Sequence, residues 1–140
     1  TVVTATRHYL NGFKAEAEIE FYNNADTMVT AGYIWRMFDR LKDQRVLAIV
    51  IDSIGIGKGV FDRLKEQKPS NAAMVEFIAG AKAEDSERFA NLKTETAMRM
   101  RRDFENGMIK IPENRMLIND LLSWRIEPTS TKGKIKLIDP

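Results

Sequence analysis

Val46-Leu47-Ala48-Ile49-Val50-Ile51 is a run of six apolar residues, rich in β-branched types and too short for a free-standing helix. Such a run marks a strand buried on both faces, as in the parallel part of an α/β sheet. Asp52 closes the run, and Ser53-Ile54-Gly55-Ile56-Gly57-Lys58-Gly59 leads into a helix that packs through Val60 and Leu64. In open α/β sheets, ligands and chemistry gather at the carboxyl ends of strands. An acid placed there, beside glycines that let a substrate backbone come close, is a candidate for metal binding or acid–base work. The plainer reading is that Asp52 caps the turn that follows.

The glycines fit neither nucleotide-binding fingerprint. A P-loop needs Gly, four residues, then Gly-Lys-Ser/Thr; here Asp52 stands five residues before Gly57, and Gly59 follows Lys58. Gly55-x-Gly57-x-Gly59 also departs from G-x-G-x-x-G, and no acid closes a following strand at Glu76 in the dinucleotide manner.

Composition narrows the chemistry. There is no cysteine, which excludes disulfides, thiolate zinc sites and cysteine nucleophiles, and the single histidine, His8, excludes a histidine-rich metal site. A net charge of +2 argues neither for nor against nucleic acid; only the local distribution of charge can. No apolar run approaches the roughly 18 residues of a membrane span, nothing resembles a signal peptide, and a cytoplasmic setting fits. At 140 residues, the expectation is one domain with a core of its own. The start at Thr1 and the end at Asp139-Pro140 suggest an excised piece.

Along the chain, Thr1 to Arg7 reads as a strand, Asn11-Gly12 as a hairpin turn, and Phe13 to Tyr22 as a second, more exposed strand. Asn23 to Thr27 is a polar turn in which Asp26 or Thr27 caps a helix carrying Ala31, Ile34, Met37, Phe38 and Leu41 on one face. Trp35 borders that face and is assigned to core packing. After the central strand, a helix runs to about Gln67, Lys68-Pro69-Ser70-Asn71 breaks it, and Ala72 to Ala79 is another strand. The longest helix is expected from Asp85 or Ser86 to Asn106, with Phe89, Leu92, Thr96, Met100 and Phe104 inward and Arg99, Arg101 and Arg102 on a charged face. Met108 to Ile111 is short and extended. Glu113 to Trp124 is a final helix with Met116, Leu117, Leu121 and Leu122 inward, followed by a polar loop over Pro128 to Lys132 and a strand over Gly133 to Ile138.

A hairpin, a helix, a buried strand, a helix and a further strand make a mixed α/β topology rather than plain βαβ alternation, and an acid ending the strand after the first helix is what ribonuclease-H-like nuclease folds use. Four segments resemble the C-terminal nuclease domain of phage and prophage large terminase subunits. Ile51 to Leu64 is similar to the family's hydrophobic-Asp-x-x-Gly-x-Gly-x-Gly-Val-x-Asp-x-Leu segment, and Asp26-Thr27-Met28 stands ahead of the first helix. Arg88 to Glu95 is similar to Phe-x-Asn-x-Arg-x-Glu, with Lys93 for the Arg. Gly107 to Pro112, Leu117, Leu121 and Lys132 to Ile135 complete the family's order.

The resemblance implies a ribonuclease-H-like sheet flanked by helices and a divalent-metal endonuclease that cuts concatemeric viral DNA during packaging. Two Mg²⁺ or Mn²⁺ ions would be held by three acids on different strands, with Asp52 the second. It also implies that Thr1-Val2-Val3 follows the first acid and that the third lies beyond Pro140. The chain is then truncated at both ends, lacks its first, central strand, and is inactive alone. Unpaired strand edges would allow homo-oligomers. Double-stranded DNA, the small terminase subunit and the portal are the implied partners, in the host cytoplasm and without a membrane. The chemistry agrees: phosphodiester hydrolysis at neutral pH uses metal ions to make hydroxide and to neutralise the leaving oxygen, and hard cations take carboxylate oxygens. Lys58, Arg99, Arg101 and Arg102 are candidate contacts to DNA phosphate, and Asp62 reads as a surface acid. Two alternatives remain: a catalytically inactive remnant that binds DNA or serves assembly, and a resolvase- or transposase-like nuclease on the same fold.

Overall fold

The computed structural model describes residues 1–23, 26–46, 48–67, 72–130 and 133–138. Leu47 of the apolar run, Asn24 and Ala25 of the first polar turn, the helix break at Lys68–Asn71, and Thr131 and Lys132 of the last loop lie outside the described residues. The elements are β1 (Val2–His8), β2 (Lys14–Phe21), α1 (Thr27–Leu41), a short 3₁₀ turn (Lys42–Gln44), β3 (Ala48–Asp52), α2 (Ile56–Glu66), β4 (Ala73–Phe77), α3 (Leu92–Glu105), β5 (Ile109–Lys110), α4 (Arg115–Ser123), β6 (Arg125–Pro128) and β7 (Ile135–Ile138). Among the described residues they form a three-stranded sheet β1-β2-β5, a parallel pair β3-β4 and an antiparallel pair β6-β7. This is a mixed α/β fold compatible with the ribonuclease-H-like class. No helix among the described residues is long and apolar enough to cross a membrane.

The chain forms two compact units, one of Thr1–Ala5 with Ala17–Ile78 and one of Thr6–Glu16 with Ala79–Pro140. In the first, the Asp26 carboxylate caps α1 by accepting from Val29 N at 2.8 Å, the interaction expected of an acid one residue before a helix. Spacing of three and four turns Ala31 and Ile34 towards α2, whose Val60 and Leu64 complete the centre of the core. Ile49, Ile51, Met74 and Trp35 pack around it, and the Trp35 indole donates to Gln67 Oε1 at 2.9 Å. Trp35 therefore does serve core packing.

The central strand departs from expectation. Ile49 and Ile51 face this core, but Ala48, Val50 and Asp52 alternate with them on an exposed face, where Val50 is 59% accessible. Among the described residues, the partly buried core positions of β3 and β4 lie on the side that meets α1 and α2, so the burial is one-faced. Its register is unambiguous, from Ala48 opposite Ala73 to Asp52 opposite Phe77.

In the second unit, Tyr9 N donates to Phe13 O at 2.9 Å and Gly12 takes φ +87° to close the turn between β1 and β2, as Asn11-Gly12 predicts. β5 adds to β2 in parallel through Lys14 and Ile109. The helix expected from Asp85 or Ser86 begins instead at Leu92, where Asn91 Oδ1 accepts from Thr94 N at 2.9 Å. Asp85 does cap, but it caps an isolated turn, accepting from Arg88 N at 3.3 Å. Consequently α3, at 14 residues, is shorter than α1 at 15, and its buried positions are Thr94 and Glu95, while Thr96 is exposed. Phe89 is buried, but ahead of the helix, bridging to Ile135. On α4, Leu117 and Leu121 are partly buried, whereas Met116 and Leu122 are exposed against expectation. The short strand β6 was hidden by its composition; it pairs with β7 from Arg125–Ile138 to Pro128–Ile135.

Candidate functional site

Asp52 ends β3 at its carboxyl end and is exposed. One carboxylate oxygen, Oδ1, accepts from Ile54 N at 3.3 Å, so the turn-capping role is real and, among the described residues, leaves Oδ2 open. Next to it, Ser53 is buried, and its N–H and hydroxyl both donate to Phe77 O, at 3.0 and 3.4 Å. These bonds fix the end of β3 against the end of β4. Gly55 precedes α2 with φ +63° and ψ −120°, a backbone conformation that L side chains rarely adopt. The sequence places an acid, a sharp turn and a helix start within a few residues of a strand end, and the structure keeps that arrangement.

The candidate DNA-contacting cations are mostly engaged. Lys58 pairs with Asp62 at 3.1 Å and Glu76 at 3.3 Å, and these two hydrogen bonds raise its pKa above the ordinary lysine value. Asp62 is therefore a partner of Lys58, one turn along the exposed side of α2. Arg99 pairs with Glu84 at 2.5 Å and with Glu95 at 2.9 Å, which raises its pKa further, the Glu84 bond first. Arg101 pairs with Glu105 at 2.8 Å. Arg102 is exposed and has no ion-pair partner among the described residues. Lys58 belongs to the same unit as Asp52, and the three arginines belong to the other.

Two functional-looking residues of the Arg88–Glu95 segment have structural tasks. Asn91 caps α3 and also accepts from the Thr94 hydroxyl at 2.8 Å, and that same hydroxyl accepts from Leu137 N at 3.0 Å. Glu95 is 2% exposed; its Oε2 accepts from Glu84 N at 2.6 Å and its Oε1 from Asp85 N at 3.4 Å. The segment thus ties the loop before α3, the start of α3 and β7 together. The signal was in the sequence, as an Asn three residues before a Thr at a helix start; the partners of Glu95 were not.

No family model matches the sequence, and no curated protein matches it. Among solved structures, the chain is similar to the large terminase nuclease from the thermophilic phage G20c, crystallised with bound magnesium. The TM-score is 0.62 at 18% sequence identity, over 100% of this chain and 66% of that one. This chain shares that nuclease's fold. It spans just under two thirds of the neighbour's length, and at this identity the likeness speaks for the fold alone.

A divalent ion would need more oxygen ligands than this site shows. Among the described residues, no group of three or more Asp, Glu or His side chains is placed to hold a metal. Glu76 is one residue out of register with Asp52, so it faces the opposite side of the β3-β4 pair and is bonded to Lys58. Asp52 supplies one carboxylate. A two-ion centre does not fit these residues by themselves.

Proposed function

We propose that the chain is the nuclease domain of a DNA-packaging terminase large subunit, hydrolysing phosphodiester bonds of concatemeric double-stranded DNA, with Asp52 as one of the carboxylates that hold Mg²⁺ or Mn²⁺. The observation that carries this reading is Asp52 at the carboxyl end of β3, with one carboxylate oxygen open, in a chain whose fold is that of a phage terminase nuclease. Bound ions would supply an activated water and neutralise the leaving oxygen. Because the described residues offer one acid, no catalytic step is assigned to them, and the remaining ligands are taken to come from sequence flanking these 140 residues. On this reading one further strand lies along β3; the small terminase subunit and the portal are the assembly partners, and the site of action is the host cytoplasm.

A second reading, a non-catalytic DNA-binding or assembly module, is favoured by the absence of a three-acid cluster among the described residues. Plasmid cutting in Mg²⁺ or Mn²⁺ separates the two. The 140-residue chain is expected to leave plasmid intact. The chain lengthened at both ends by its native flanking sequence is expected to cut, and Asp52→Ala in that longer chain to abolish cutting. Cutting by the 140-residue chain that Asp52→Ala removes shows that the catalytic set lies elsewhere than proposed. Cutting by the longer chain that survives Asp52→Ala takes Asp52 out of the site, and no cutting by the longer chain supports the second reading.

A further inference from the structure

From sequence, the loop glycines let a substrate backbone come close. In the structure two of them make room for the chain's own atoms. A Cβ on Gly57 would lie 1.8 Å from the carbonyl oxygen of Asp52 and 2.9 Å from its carbonyl carbon, far inside any tolerable contact. A Cβ on Gly59 would lie 3.1 Å from the Thr27 Cγ2 methyl, at the first residue of α1. Gly55 has nothing within 4 Å and is required for its backbone angles instead, and Gly32 on α1 also meets nothing. The clearances at Gly57 and Gly59 therefore differ in kind from those at the other two.

We propose that Gly57 and Gly59 are positioning residues for Asp52. Lacking side chains, they let the first turn of α2 seat on the Asp52 carbonyl and against Thr27, and this seating sets the direction in which the Asp52 carboxylate leaves β3. The path is short and continuous: Asp52 Oδ1 accepts from Ile54 N at 3.3 Å, Ile54 O accepts from Gly57 N at 3.4 Å, and Gly57 lies on the Asp52 carbonyl. A methyl on Gly57 meets backbone, so the strand end or the helix must move. A methyl on Gly59 meets a side-chain methyl, which Thr27→Ser removes. The inference rests on the reading of Asp52 as the functional carboxylate, but it concerns only how that residue is held.

The test is heteronuclear NMR of the 140-residue chain without metal or DNA, following the Asp52 carbonyl and carboxyl carbons and the Ser53 and Ile54 amides. Gly57→Ala is expected to shift all of these signals, and Gly32→Ala to leave them in place. Gly59→Ala is expected to shift them less, and Thr27→Ser added to Gly59→Ala to return them to their wild-type positions. A folded Gly57→Ala with these signals unmoved overturns the proposal. If Gly57→Ala does not fold, the Gly59 pair decides, and either no shift or a shift that Thr27→Ser fails to reverse overturns it. Neither metal nor DNA enters, so the outcome is independent of plasmid cutting. Shifts as expected, together with a longer chain that cuts normally as Asp52→Ala, would leave the positioning intact and remove the nuclease role of Asp52.

Discussion

Replacing Glu95 tests the principal tie of the second unit. The carboxylate is 2% exposed and takes Glu84 N at 2.6 Å, Asp85 N at 3.4 Å and Arg99 Nη2 at 2.9 Å. The short bond to Glu84 N is charge-assisted and contributes about 1.5–3 kcal/mol, while the long one to Asp85 contributes little. Arg99 is 55% exposed, so solvent screens its pairing and leaves it a minor contribution. Glu95→Gln keeps one acceptor and the side-chain volume and is expected to cost about 1–2 kcal/mol. Glu95→Ala leaves the Glu84 N–H without its acceptor and opens a gap in the packing, for about 3–4 kcal/mol. At about 3 °C per kcal/mol for a chain this size, that is a fall in melting temperature of about 10 °C. Urea unfolding gives the energies, and amide exchange gives the location: the Glu84 amide should lose protection in Glu95→Ala and keep it in Arg99→Ala. A cost below about 1 kcal/mol for Glu95→Ala, or a Glu84 amide that stays protected, refutes the assignment of Glu95 as the clasp of this loop.

The Tyr22 hydroxyl donates to Glu20 and is the first cause holding that carboxyl below its ordinary pKa; burial opposes it, and the charge of Arg40 adds to it. A lowered folded pKa gives stability that is present above the unfolded carboxylate value and lost as pH falls through the folded one, so Tyr22→Phe should flatten acid-side unfolding and bring the Glu20 carboxyl ¹³C titration back towards its usual position; an unchanged titration counts against the pair. The same bond raises the Tyr22 pKa, so its contribution is lost as pH rises beyond the ordinary tyrosine value. On the proposed reading, with contacts to phosphate alone, DNA binding by the chain should be weak, indifferent to sequence and lost as salt rises. Arg102→Ala should lower the salt slope by about one charge and Arg101→Ala by less, since Glu105 already engages Arg101; salt-insensitive or strongly sequence-specific binding contradicts this.

What could be read from the sequence was local. Asp26 before an apolar-periodic run, the strand ended by Asp52 and the Gly55 turn into α2 each declare themselves within a few residues, and each is found in place. The start of α3 was misread because Asp85 and Ser86 have cap chemistry as good as that of Asn91; what decides is that Phe89 and Ala90 are held by β7, Phe89 bridging to Ile135 and Ala90 N donating to Ile135 O at 2.9 Å, which no local pattern encodes. β6 was hidden for the same reason, since Arg125-Ile126-Glu127-Pro128 has one apolar side chain and a proline, and only β7 makes it a strand. The pairs Lys58–Asp62, Glu95–Arg99 and Arg101–Glu105 are spaced i,i+4, so the engagement of three candidate cations was legible in principle. The burial of Glu95 was not, because it depends on the backbone of Glu84 and Asp85 folding back over it, nor was the clearance at Gly57, because it depends on how tightly the turn closes on the Asp52 carbonyl.

The unfinished strand pairing and the unfinished site are one problem on the proposed reading. Among the described residues, β3 pairs only with β4, so the N–H and C=O groups on its far edge have no strand partner, and Val50 on β3 remains exposed. β3 has neither proline nor lysine, the usual guards of a free edge, and its one charge is Asp52 at the very end. On the proposed reading a further strand lies along this edge. Neighbouring strands lie about 4.8 Å apart, and a strand parallel to β3 would end level with Asp52, on the side where α/β sheets carry their ligands. A carboxylate closing that strand would stand beside Oδ2 of Asp52, close enough for both to reach one hard cation, whose oxygen ligands lie at about 2.0–2.6 Å. On the proposed reading, the strand that satisfies the backbone of β3 would by the same geometry deliver a second acid to the site, so sheet completion and metal binding should be gained together in a chain lengthened at both ends, and gain of one without the other would count against it.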